Sequence, residues 1–171
     1  MADRKLYGKT SLITEFVTNH LEKLQTLDAG WATLYLEKKS NREWLKYISD
    51  DRSNTPDLIQ VKPKLNTEDL INIALNSVYE DESQAAIRRL ISEENTNQYR
   101  LILLDEIKKK ITNSLNHLEK ERIIAIIQQS DLLNKNNRKD IINKPYSEVQ
   151  KDYEFYKKIA LETSEILSAL K

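Results

Sequence analysis

At 171 residues the chain has the size of one ordinary domain, long enough to bury about two-thirds of the surface its unfolded form exposes. Its 27 basic side chains balance 27 acidic ones, so no whole-molecule field draws nucleic acid or an anionic membrane, and the lack of cysteine removes disulfides, thiolate nucleophiles and cysteine-held metals. Two glycines and three prolines are too few for a turn-rich β-sandwich or a glycine-built phosphate loop, so the composition favours helix.

The first residues carry charge at Asp3, Arg4 and Lys5 with no apolar segment after them. No run reaches the ~18 apolar residues of a membrane span, so a cytoplasmic protein that meets neither membrane nor nucleic acid is expected. Gly8, Lys9 and Thr10 look like the tail of a phosphate-binding loop, but Asp3 stands where that loop needs its first glycine and no strand precedes it. Thr10 serves better as a helix N-cap.

From Ser11 to Leu27, the residues Leu12, Ile13, Phe16, Val17, Leu21 and Leu24 recur at spacings of three and four, which predicts one amphipathic helix. The period then changes. Trp31, Leu34, Tyr35 and Leu36, then Trp44, Leu45, Tyr47 and Ile48, then Leu58, Ile59 and Val61 are short aromatic and branched runs separated by polar clusters, which predicts three strands joined by turns. Asn66 caps a helix from Thr67 to about Tyr79, with Leu70, Ile73, Ala74, Ser77 and Val78 as its buried stripe. Further helices are predicted over Ser83 to Glu93, over Gln98 to about Leu118, and around Ile123 to Ile127. The last segment opens at Pro145, with a capping box from Ser147 to Gln150. Val149, Tyr153, Tyr156, Ala160, Thr163, Leu167 and Leu170 then repeat every seven residues, as a docking helix of the same chain or a coiled-coil partner would.

The expected fold is therefore α+β and mainly α-helical. A small three-stranded antiparallel sheet at about 31–61 packs with an N-terminal helix and a C-terminal set of antiparallel helices, in a single domain over 1–171. The N-terminal helix and sheet occupy 10–61 and the helical portion 66–171.

Catalytic chemistry is not legible. His20 and His117 lie on separate predicted helices without a second ligand at metal spacing, and His20 falls at the edge of an apolar stripe as a half-buried residue does. The Asp50, Asp51 turn lacks the glycine and distal glutamate of a calcium loop. No catalytic residue, metal or cofactor is expected, and the protein is expected not to be an enzyme.

Charge patches remain. Asp50, Asp51 and Asp57 lie near the strands, and Glu80, Asp81, Glu82, Glu93 and Glu94 lie around the helical turns, opposite in sign to Lys108, Lys109 and Lys110. These eight acidic residues are the expected partner-binding residues, since an acidic face steers a basic partner.

Gly30, Trp31, Leu34 and Tyr35, then Trp44, Leu45 and Tyr47, then Pro56, Leu58 and the helix opening at Thr67 together resemble the immunity protein 27 family, bacterial proteins that bind and neutralise a toxin. The resemblance spans Gly30 to Thr67 only. It implies a strand hairpin followed by helix, and a partner in the form of a cognate toxin domain, with a basic nuclease as one candidate, bound by a monomer or weak dimer. The alternative from the helical pairs after Asn66 is a repeat-like scaffold or regulatory module that binds protein on a helical face. Trp31, Tyr35, Trp44 and Tyr47 also fit the aromatic core of any small sheet packed on a helix.

Overall fold

The amphipathic start of the chain forms two different elements. In the computed structural model, which describes residues 4–48, 55–94, 98–112, 114–136 and 144–171, the two-residue strand β1 (Leu6–Tyr7) precedes helix α1 (Thr10–His20), with Lys9 at its N-cap in place of Thr10. Where the periodicity extends that helix to Leu27, the chain instead turns extended at Leu21 and forms strand β2 (Leu21–Leu27). The register explains the mimicry. Lys23 pairs with Tyr35 and Gln25 with Leu34, so Leu24 is an extra bulge residue. The three-residue spacing of Leu21, Leu24 and Leu27 is thus that of a bulged strand, with Leu21 and Leu27 on opposite faces and Leu24 49% exposed.

The expected three-stranded sheet is in fact a five-stranded antiparallel one, β1-β5-β4-β3-β2, built with β3 (Ala32–Glu37), β4 (Arg42–Ile48) and β5 (Pro56–Lys62). The three strands read from the aromatic runs form its centre, and the two missed are its edges. One is too short to show a period, and the other wears a solvated, charged exterior that blunts an edge against stray pairing. Between β3 and β4 the hairpin turns through Asn41 in the left-handed region, which Asn tolerates well.

One sheet face carries Trp44, Leu58 and Tyr35, and α1 lays Ile13, Phe16 and Val17 on it. The opposite face carries Asp57 and Tyr47, which follow from the alternation along β4 and β5. Helix α2 (Thr67–Asn76) starts on a complete capping box between Asn66 and Asp69, as the sequence predicts for Asn66. Its buried residues are Leu70, Ile71, Ala74 and Leu75, whereas Val78 lies beyond its end and is 75% exposed. Helix α3 (Glu80–Glu93) is tied to α2 by the Ser83 hydroxyl, which donates to the Ala74 carbonyl at 2.5 Å. Its Arg88 clamps Asp57 with two hydrogen bonds, and Arg89 lies over the Tyr47 ring at 5.1 Å.

Gly8 has a steric task. A Cβ there would meet the Asp81 carbonyl oxygen at 2.5 Å and an Arg88 guanidinium nitrogen at 2.6 Å, so only glycine lets this stretch lie against α3.

The chain folds as two compact units, Met1–Arg89 and Leu90–Lys171. In the second, α4 (Arg100–Ile111), α5 (His117–Gln129) and α6 (Tyr146–Leu170) bury Leu103, Leu104 and Ile107, Ile123, Ile126 and Ile127, and Tyr156, Ile159, Ala160 and Thr163. The long helix predicted to about Leu118 is two, because Asn116 begins a new capping box with Glu119. The middle of the C-terminal seven-residue stripe packs on α4, α5 and the Asp131–Leu133 turn, so α6 docks within the chain. Its N-cap is Pro145, without the side-chain bond expected from Ser147. At the head of α4, buried Arg100 pairs with Glu94 at 2.5 Å, stacks over Tyr156 and donates to the Asn134 carbonyl.

Candidate functional site

Two features of the first unit stand out: an open cavity under α1 and an exposed tryptophan at the far end of β3. The cavity, about 390 Å³, exists because β1, α1 and β4 each send an aromatic ring to one place. Tyr7 stacks on Phe16 with ring centres 4.7 Å apart, and Trp44 meets Phe16 edge-on at 5.1 Å. Such offset and edge contacts are the favoured aromatic geometries. Residues 12, 16 and 20 are spaced one helical turn apart, so α1 brings Leu12, Phe16 and His20 to the same wall.

Arg4 closes one side. Its guanidinium lies between the Tyr7 and Tyr79 rings, 4.2 and 4.3 Å from their centres, and pairs with Asp81 at 2.6 Å. Burial holds the Tyr7 hydroxyl above the usual tyrosine range; Arg4 works against that shift, while Glu37, Glu82 and Asp81 add to it. On the other side stand Arg42 and Glu37, opposite one another across the β3–β4 pair. One Glu37 oxygen, Oε2, accepts from the Ser40 hydroxyl at 2.6 Å and from the Trp44 indole at 3.4 Å. Oε1 has no donor among the described residues. Glu15 stands exposed at the rim, and no described residue pairs with it.

Four of the six described acidic residues expected to form a partner surface are committed to the fold. Asp57 is fully buried beneath Arg88, and the hydrogen bond to Asp57 raises the Arg88 pKa against the desolvation that burial imposes. Asp81 accepts from Arg4 and from the Gly8 amide, and Glu82, 5% exposed, accepts from the Lys5 and Leu6 amides and the Ser77 hydroxyl. Together Asp81 and Glu82 anchor β1, which is a structural use. In the second unit Glu94 is buried on Arg100 and Glu93 is half-buried. Glu80 is exposed and accepts from Gln84. Asp50 and Asp51 lie outside the described residues. Lys108 and Lys109 are matched by Glu162 and Glu106, so the basic patch is neutralised where it stands.

His20 is exposed, with its ring 5.1 Å from Phe16, and His117 is solvated beside Glu121. Among the described residues no group of three or more His, Asp and Glu side chains could hold a metal ion, and no helix is long and apolar enough to cross a membrane.

The tryptophans separate. Trp44 is 1% exposed, as a sheet core residue should be, whereas Trp31 is 61% exposed and is not part of the core suggested for it. It follows a tight turn in which Asp28, Ala29 and Gly30 all have positive φ. Glycine takes that conformation freely, but Asp and Ala pay for it, so the turn that presents Trp31 is held against local preference.

Compared with models of protein families, with curated proteins and with solved structures, the chain matches none.

Proposed function

We propose that the protein is a toxin-neutralising immunity protein, acting in the cytoplasm, which binds a cognate bacterial toxin domain and blocks it by occlusion without chemistry of its own. Trp31 carries this reading. A tryptophan left 61% exposed on a conformationally fixed hairpin tip is the side chain most often found at the energetic centre of a protein interface. It also lies at the start of the Gly30 to Thr67 stretch that resembles the immunity protein 27 family.

With four of the six described acidic residues, Asp57, Asp81, Glu82 and Glu94, serving the fold, recognition rests on this aromatic anchor rather than on a broad acidic face. The test is binding of the purified chain to the toxin domain encoded immediately upstream. Trp31→Ala should weaken the complex by at least about 30-fold, the effect of losing one interface anchor, while the melting temperature stays put. Retention of full affinity by Trp31→Ala, or no complex with that toxin, overturns the proposal.

A further inference from the structure

The cavity under α1 lies at the opposite end of β3 from Trp31, and its charges are unevenly matched. Arg4 is already answered by Asp81 at 2.6 Å and lies over the Tyr7 and Tyr79 rings. Glu37 gives one carboxylate oxygen to Ser40 and Trp44 and keeps the other free of any described donor, and Glu15 at the rim has no described partner. The lining holds two arginines and two glutamates, and with Asp81 behind Arg4 added to them, two arginines face three carboxylates. The rest of the lining is Leu12 and rings, those of Tyr7, Phe16, His20, Trp44 and Tyr79.

We propose that this cavity is a binding site for an arylalkylamine, a small ligand with an aromatic ring and a protonated amine a few bonds away. The ring packs on Leu12 and Phe16, in front of the Trp44 that backs them, and the ammonium donates to the oxygen of Glu37 left by Ser40 and Trp44 and to Glu15. The cavity of about 390 Å³ falls in the range, roughly 300–1,000 Å³, that small ligands occupy. Against an aromatic wall, where water screens poorly, the sign of the ligand's charge matters more than in open solvent. A carboxylate in the same place would add to an existing excess of negative charge, whereas an ammonium cancels it. This site is independent of the partner surface above, so either can fail without the other.

The probes are phenethylamine, with phenylacetate to reverse the charge and butylamine to remove the ring. The reporter is the indole N–H resonance of Trp44 in the full chain, and Trp31, exposed at the other end of the sheet, is the internal control. Phenethylamine should shift Trp44 saturably and leave Trp31 in place, with both comparators at least about tenfold weaker, as loss of one charge contact or one buried ring implies. Glu15→Gln, a substitution on the exposed side of α1, cannot disturb the core, and Glu37→Gln keeps an acceptor for Ser40 and Trp44. Each should weaken phenethylamine about three- to tenfold, with the unliganded Trp44 resonance unchanged in Glu15→Gln and moved in Glu37→Gln only by the exchange of its acceptor. The proposal is overturned if millimolar phenethylamine leaves Trp44 unmoved, if phenylacetate or butylamine binds equally well, or if both glutamine variants bind like the parent chain.

Discussion

Replacing each tryptophan in turn with alanine asks whether the structure has assigned the two rings correctly. Trp44 is 1% exposed, in contact with Tyr7 and Phe16 and bonded through its indole to Glu37. A buried aromatic hides about 150–250 Å², worth roughly 4–6 kcal/mol at about 25 cal/mol per Å². Alanine keeps part of that burial and the neighbours relax, so Trp44→Ala should cost about 3–5 kcal/mol. Trp31, 61% exposed, should cost under about 1 kcal/mol, the scale of a surface substitution. Urea titration followed by far-ultraviolet circular dichroism measures both without relying on the deleted fluorophore. Because the chain divides into two compact units, the comparison is made on the transition that Trp44→Ala moves. Equal losses from the two substitutions, or a loss above about 2 kcal/mol from Trp31→Ala, would refute the assignment of one ring to the core and the other to a surface.

Removing Arg88 takes away the two hydrogen bonds that its guanidinium gives the fully buried Asp57 carboxylate, and Arg88→Met should cost about 3 kcal/mol, the lower end for such a pair because Arg88 is itself 30% exposed. Adding Asp57→Asn should restore much of that loss, and simple additivity of the two costs in urea titration would count against the pair. Gly8→Ala should destabilise by about 1–3 kcal/mol, because the Asp81 carbonyl oxygen 2.5 Å from the new Cβ is main chain and cannot swing away; an unchanged melting temperature would show that this approach is looser. Burial raises Tyr47 and Tyr99 above the usual tyrosine value near 10, with nearby Asp57 and Glu94 adding to the shift. A raised folded value stabilises below the unfolded value and loses that contribution as pH climbs. Stability should therefore be steady through neutral pH and fall above about pH 10, with ionisation of these two phenols, read at 295 nm, coinciding with unfolding.

The centre of the sheet is legible in the sequence because β3, β4 and β5 are aromatic and branched runs bounded by polar turns, and buried strands advertise themselves that way. The edges are not. Two residues of β1 cannot establish any period, and the bulge at Leu24 gives β2 a helical spacing. The helical part shows the same contrast. Asn66 with Asp69 and Asn116 with Glu119 are both local signals that the structure makes as local bonds, but only the first reads as a helix start, since Leu115 and Leu118 continue the preceding period across Asn116.

The acidic residues show why the candidate site is harder to see than the fold. In sequence, Asp57, Asp81, Glu82 and Glu94 are indistinguishable from solvated charges, because burial depends on which residue lies opposite. For Asp57 that residue is Arg88, 31 positions away, and for Asp81 it is Arg4, 77 positions away. Only Glu94 has its cation, Arg100, within one loop. The same non-locality hides the cavity: Phe16 reads as one more member of an apolar stripe, and nothing near it announces Tyr7, Glu37 or Trp44. Charge that holds β1 to α3 cannot also steer a partner, and burying it makes those acids conditions of the fold. Among the described residues, the surface features that the fold does not use include Glu15 and one oxygen of Glu37 beside aromatic rings at one end of β3, and the exposed Trp31 at the other.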